Sequence, residues 1–238
     1  VNFLHSGGAG DVIYALPYIR HLGGGTLYVK PCNPYNMVCN IYQAVVRLVA
    51  CQPYMAGVIE HAIGYGFHTH APGIKVDVDL DIFRRLAGLN TRPLPALYFE
   101  AAGLVPPLAA TLAPWLAIPP VPHVGGALVC RTARYQDPRL DWAGVLAAAR
   151  QRHGRVAFIG LPAEHVDFER LVGGPCPYLP TADLLEAAQA IAGADALYCN
   201  QGACLTVAQG MGKPYYLEVA PGHTNCILGG PGEKLLNR

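Results

Sequence analysis

Residues 1–29 read VNFLHSGGAGDVIYALPYIRHLGGGTLYV, and this stretch decides the fold. Residues 1–5 form a short apolar run of strand length, followed by the turn Ser6-Gly7-Gly8-Ala9-Gly10-Asp11. Val12, Ile13, Leu16, Ile19 and Leu22 then recur at the spacing that places apolar side chains on one helical face. Gly23-Gly24-Gly25 stops that pattern. Pro17 falls inside it, so the helix is expected either to kink or to begin later than the pattern does. Residues 26–29 (TLYV) are a second apolar run, leading into Lys30-Pro31. Strand, glycine-rich loop, helix and strand make the opening unit of a parallel sheet.

The same rhythm continues along the chain. Residues 40–54 suit a helix, 58–61 a strand, and 76–80 (VDVDL) alternate as a strand does. Asp81 or a neighbour is placed to cap a helix beginning at Ile82. Residues 91–115 are rich in proline and alanine and carry no clear period. Residues 117–122 (AIPPVP) favour extended chain and serve as the expected linker between domains 1–120 and 121–238. Beyond it the pattern predicts strands at 127–130, 156–159, 196–199 and 215–217. Helices are expected at 142–153, 164–171, 184–191 and from 205. Apolar strands alternating with helices imply parallel sheets covered on both faces. The expected fold is therefore α/β, with two Rossmann-like parallel-sheet domains facing a cleft and ligands at the carboxyl ends of the strands.

Composition narrows the function classes. Of 238 residues, 52% are hydrophobic and 14% charged, enough for two cores and too apolar for general disorder. So few charges leave the surface to Gly, Pro, Ala, Tyr and His, or to a partner subunit; oligomeric state stays open. Lys and Arg number 17 against 16 Asp and Glu, with 7 and 6 in residues 1–120 and 10 of each in 121–238. That balance gives no support to a sequence-independent nucleic-acid binder, which needs a basic surplus. Eight cysteines include no Cys-x-x-Cys pair, and Cys130 and Cys199 lie in apolar runs, as buried free thiols do. No run of 18 apolar residues appears and the amino terminus has no basic leader, so no membrane span and an intracellular, cytoplasmic location are expected.

Several polar residues stand at strand–helix junctions. Gly7, Gly8 and Gly10 can be a tight turn and nothing more. The sequence is neither a P-loop nor G-x-G-x-x-G. Asp11 at that junction either caps the helix or faces the cleft and takes a proton from a hydroxyl. Arg131 and Arg134, with Thr132 between them, suit a diphosphate, or else decorate a solvated loop. Asp137, Arg139 and Asp141 read as surface and helix-start residues. Asn200-Gln201-Gly202 precedes a helix whose free amides can hold an anion, and the two side chains can add donors. Glu218 ends a strand, where a carboxylate can accept paired hydroxyls of a ribose or sugar; His223 and Asn225 follow as weaker candidates. His61, His68 and His70 would need a third ligand to hold a metal, and the sequence supplies none.

Residues 8–22, GAGDVIYALPYIRHL, resemble the opening motif of the heptosyltransferase-like glycosyltransferases, family 9, in which a Gly-Asp pair precedes a helix with an Ala-Leu-Pro step. Gly10-Asp11 and Ala15-Leu16-Pro17 match it. Residues 196–214, ALYCNQGACLTVAQGMGKP, resemble the family's strand, polar-Gly turn and helix closed by Gly-Lys-Pro. The chain looks like a short, divergent member, of a size suited to a phage-type enzyme. The resemblance implies a two-domain glycosyltransferase-B fold and inverting, metal-independent transfer from a nucleotide-sugar. It implies no other cofactor. Asp11 is then the general base, with Gly8, Gly10, Arg131, Thr132, Arg134, Asn200, Gln201, Gly202 and Glu218 on the donor side. The family's second motif has an Asp before Ser or Thr and Gly, and a His three beyond; this chain has Asn200 and Leu205 there. The acceptor stays open between a glycan and a modified nucleobase in DNA, which would have to be flipped out. A non-catalytic binding protein on the same fold and a sugar-nucleotide epimerase are the alternatives.

Overall fold

The computed structural model describes residues 1–30, 40–61, 74–112 and 114–237. The first sheet is wholly parallel: β1 (Asn2–His5) lies between β2 (Gly25–Val29) and the short β4 (Val78–Asp79), with β3 (Met55–Glu60) outside β2. α1 (Ala9–His21) joins β1 to β2, and α2 (Ile41–Ala50) precedes β3. α1 buries every residue from Val12 to Ile19 and runs on through Pro17, beginning early enough to hold Asp11 in its first turn. Between α1 and β2 the chain has no room for a side chain at Gly24 (φ +83°), where a Cβ would sit 1.7 Å from the Tyr54 carbonyl oxygen.

The second sheet is also parallel, ordered β6-β5-β7-β8-β9, from β5 (Ala127–Cys130), β6 (Val156–Phe158), β7 (Ala196–Cys199), β8 (Tyr215–Leu217) and β9 (Glu233–Leu235). β5 and β7 are buried at every residue, as strands covered on both faces must be. α5 (Trp142–His153) links β5 to β6, α6 (Pro162–Val172) and α7 (Leu184–Gly193) lead to β7, and α8 (Ala203–Met211) links β7 to β8. Asp141 caps α5 through the Gly144 amide, and Asp183 caps α7 through that of Glu186.

The first half departs from the sequence pattern in several places. The strand at 76–80 contracts to β4, and the helix expected from Ile82 is a 3-10 helix, Leu80–Arg85, capped by Asp79 while Asp81 is buried. The proline-rich stretch holds α3 (Leu94–Ala101) and α4 (Leu108–Leu112). The segment entering the linker is tied down, because the amides of Trp115 and Leu116 both donate to the Gly210 carbonyl. His61 is buried, Cys130 and Cys199 are buried free thiols, and His68 and His70 lie outside the described residues. No helix is long and apolar enough to cross a membrane, among the described residues.

α1 packs on α8 and α2 on α7, so the two halves share one apolar cluster running from Phe3 to Cys226. Within it Tyr14 donates its hydroxyl proton to Gln209 Oε1 at 2.6 Å. At the rim Arg47 pairs with Asp183 at 2.9 Å. The carboxyl ends of both sheets border the cleft that separates the halves above this contact.

Candidate functional site

On the first half, the site is built by the turn between β1 and α1. Asp11 Oδ2 accepts the Gly8 amide at 3.2 Å and Arg84 Nη2 at 2.7 Å. The carboxylate is nevertheless 27% exposed and its guanidinium partner 25%. Helix capping and partial access to solvent therefore coexist at Asp11. The turn beneath it is rigid. Buried Asp81 accepts both the amide and the hydroxyl of Ser6. His5 Nδ1 accepts the Gly7 amide at 2.8 Å, so its proton resides on Nε2, which meets the Tyr98 hydroxyl at 2.9 Å. Tyr98 in turn donates to the Asp11 carbonyl at 2.9 Å. Burial pushes the His5 imidazole below its ordinary pKa, against the pull of Asp81 and Asp11, and keeps it neutral at pH 7.

Gly7 is closed in by these same groups. A Cβ there would lie 2.4 Å from Arg84 Nη2, 2.5 Å from His5 Cε1 and 2.8 Å from Asp11 Oδ2. Arg84 can swing away, but His5 is pinned at both ring nitrogens. Gly7→Ala is expected to part Asp11 from Arg84 and to cost about 1–3 kcal/mol in urea unfolding, the range for overpacking. An unchanged midpoint would show that the turn yields freely.

On the second half, Arg131 and Glu218 form a buried bidentate pair, Nε to Oε2 at 3.0 Å and Nη2 to Oε1 at 3.1 Å. Glu218 also accepts the Asp137 amide at 2.7 Å and the Trp142 indole N–H at 3.0 Å. The carboxylate is 0% exposed and each oxygen already accepts two donors, which leaves no lone pair for ribose or sugar hydroxyls. Its place is behind Arg131, not against a ligand. Asp137, expected at the surface, is itself buried and bonded to Arg139 and Asn237. Those bonds, Arg139 first, hold its carboxyl well below the usual range.

Asn200 is corrected in the same sense. It is buried, its Oδ1 accepts the Thr132 amide at 2.9 Å, and its Nδ2 donates to the carbonyls of Thr132, Arg134 and Tyr135. The side chain shapes the loop after β5 and offers no donor to the cleft. Gln201 is likewise turned inward, between Asn225 Oδ1 and the Ala220 amide. Asn225 ties its loop to the first half through the Leu89 carbonyl at 2.7 Å.

The glycine turn, the start of α8 and the Arg131–Arg134 loop do come together. A Cβ on Gly10 would be 3.9 Å from Ala203 Cα, and one on Gly202 would be 2.8 Å from Thr132 Cγ2. Gly8 caps α1 from an extended backbone, φ −68°. Arg134 is exposed and lies over the Tyr135 ring at 5.2 Å; no carboxylate among the described residues pairs with it.

One element of the site went unread in the sequence. A cavity of about 470 Å³ opens between the loop after β5 and α6, lined by Arg131, Gln136, Glu164, Asp167 and Phe168 among others. Burial raises the pKa of Glu164, against the lowering pull of the Leu161 amide, which donates to it at 3.0 Å. The signal that could have found it resembles the one applied to Glu218: Glu164 is a carboxylate a few residues past β6 and Gly160. Among the described residues no group of His, Cys, Asp or Glu is arranged to hold a metal ion.

No protein-family model matches the sequence, and no curated protein matches it. Solved structures do. The glycosyl transferase family 9 protein of Veillonella parvula superposes with a TM-score of 0.66 at 12% identity, covering 99% of this chain and 84% of that one. Heptosyltransferase WaaC of E. coli, with ADP-2-deoxy-2-fluoro heptose, gives 0.58 at 12% identity, over 98% of this chain and 91% of that one. The ADP-heptose lps heptosyltransferase II of E. coli gives 0.55 at 12%, over 99% and 90%. The chain thus has the two-domain glycosyltransferase-B fold.

Proposed function

We propose that the chain is an inverting, metal-independent glycosyltransferase that moves a sugar from a nucleotide-sugar to an acceptor hydroxyl. The observation that carries the reading is the meeting of three elements: the α1 start with its partly exposed carboxylate, the α8 start, and the arginine loop beside the cavity. In this reading residues 1–120 serve the acceptor and 121–238 the donor. The nucleoside occupies the cavity with Glu164 toward its hydroxyls. Arg134 and the first amides of α8 face the diphosphate, while Arg131 is held at the cavity wall by Glu218.

Asp11 Oδ2 is engaged by Gly8 and Arg84, and Oδ1 is the oxygen left to receive a proton. As that proton leaves the acceptor hydroxyl, its oxygen bonds the anomeric carbon from the face opposite the diphosphate. The bond from carbon to the diphosphate oxygen breaks with its electron pair, and Arg134 stabilises the charge that develops. The acceptor is a glycan or a modified nucleobase, and the location a cytoplasmic one.

A second reading, a non-catalytic binding protein, has in its favour the inward turn of Asn200, Gln201 and Glu218. Epimerisation is less well supported, because it would call on Glu218, whose oxygens are fully occupied. A thermal-shift series with ADP, GDP, UDP and their sugar conjugates separates these outcomes. A cognate diphosphate at 100 times its Kd stabilises by about 2.7 kcal/mol, and Arg134→Ala is expected to weaken that binding about tenfold. No shift with any nucleotide would sink the donor assignment. A shift with no turnover of the sugar conjugate would favour the binding protein.

A further inference from the structure

Among the described residues, Tyr135 alone of the non-glycines has a left-handed backbone, at φ 56°. That conformation suits glycine, asparagine or aspartate, and a bulky residue holds it only where its surroundings impose it. Here the Asn200 amide imposes it, bonding the carbonyls of Thr132 at 3.0 Å, Arg134 at 2.7 Å and Tyr135 at 3.3 Å. What the strain delivers is a ring outside the core, 37% exposed. Its centroid lies 5.0 Å from that of His223, with the planes at 56°, and the Arg134 guanidinium stands 5.2 Å from it. The two rings span from the loop after β5 to the loop after β8, and so stand over the turn Asn200–Gly202 between them.

We propose that Tyr135 and His223 form the wall on which the donor's sugar ring rests. The inference builds on the donor reading above and adds residues that decide which sugar is held. The order of the site carries it. The cavity lies on the α6 side of the 131–136 loop, and Arg134 with the α8 start comes next. The tyrosine–histidine pair lies on the far side, where the loop after β8 reaches across to the first half through Asn225 and Leu89. A sugar rejects a purely apolar wall, but its C–H faces carry the partial positive charge that suits an aromatic face, and both rings have a polar atom for its hydroxyls.

The experiment is titration calorimetry of the full chain with ADP, GDP, UDP and their glucose, mannose and heptose conjugates, on wild type, Tyr135→Asn and Tyr135→Phe. Asparagine accepts the left-handed backbone without the ring, so Tyr135→Asn should melt where wild type does. It should bind the cognate diphosphate unchanged and lose about tenfold in affinity for the sugar conjugate, while Tyr135→Phe keeps most of it. Equal losses for diphosphate and conjugate, or no loss for either, would overturn the wall and leave the donor reading standing. Binding of no nucleotide by wild type would instead remove the donor reading, and the wall with it.

Discussion

Replacing Glu218 by alanine is expected to lower the unfolding free energy by about 3–5 kcal/mol, the range for breaking one side of a buried ion pair. The carboxylate is 0% and the Arg131 side chain 10% exposed, so water screens little of their attraction. Truncation leaves the guanidinium, the Trp142 indole N–H and the Asp137 amide without their acceptor. Each orphaned donor costs about 1–3 kcal/mol, and because they share one acceptor the costs do not add. Glu218→Gln should cost less, since its carbonyl oxygen still serves two of the four donors while its amide group opposes the others. Urea denaturation followed by tryptophan fluorescence measures all of this. A loss under about 1 kcal/mol would show the pair to be weakly coupled, and Arg131 would return to the set of arginines free to hold phosphate.

The rhythm of the fold was legible where apolar runs were long and ended in strong signals. α5, β7 and β8 fall where the pattern puts them, since Asp141 and Gly154 bracket α5 and both strands are buried throughout or nearly so. β9 was not legible, because three residues (EKL) with one apolar side chain carry no period. α3 and α4 hid in proline and alanine, whose low side-chain contrast erases amphipathic patterning. Asp81 was read as a cap because a short polar residue before an apolar run usually is one. Its burial beneath Ser6 depends on β1 and β4 pairing across more than seventy residues.

The site divides along a similar line. Which loops would meet could be read from strand–helix junctions, and the meeting of Gly10, Gly202 and Thr132 follows from that topology. Which way a polar side chain turns could not. Asn200 and Glu218 look outward in sequence, yet their partners lie 65 to 87 residues away and are set by packing alone. The same limit hid Tyr135, whose left-handed backbone depends on Asn200 and has no signature in the residue itself. With those side chains turned inward, Arg134 and Tyr135 stay exposed and His223 partly so.

Asp11→Asn is expected to slow sugar transfer, or sugar hydrolysis with water as acceptor, by about 10²–10⁴-fold, the usual worth of a positioned general base. It should leave diphosphate affinity unchanged. The substitution separates the two things Asp11 does. Asparagine can still accept the Gly8 amide, so α1 keeps its cap, and Tyr98 still holds the residue's carbonyl. The ion pair with Arg84 joins groups only about a quarter exposed, and the asparagine amide oxygen can still accept the guanidinium, so the loss is about 1–2 kcal/mol. Stability should therefore fall by no more than that while turnover collapses. Asp11→Ala gives the complementary arm, since it removes the cap as well and should cost a further 0.5–2 kcal/mol or about that. If Asp11 were only a cap, the two variants would keep the same order of stability, but both would turn over the donor within a few-fold of wild type. Release of nucleoside diphosphate from the conjugate identified by calorimetry, measured beside urea unfolding, decides between a base that also caps and a cap that was never a base.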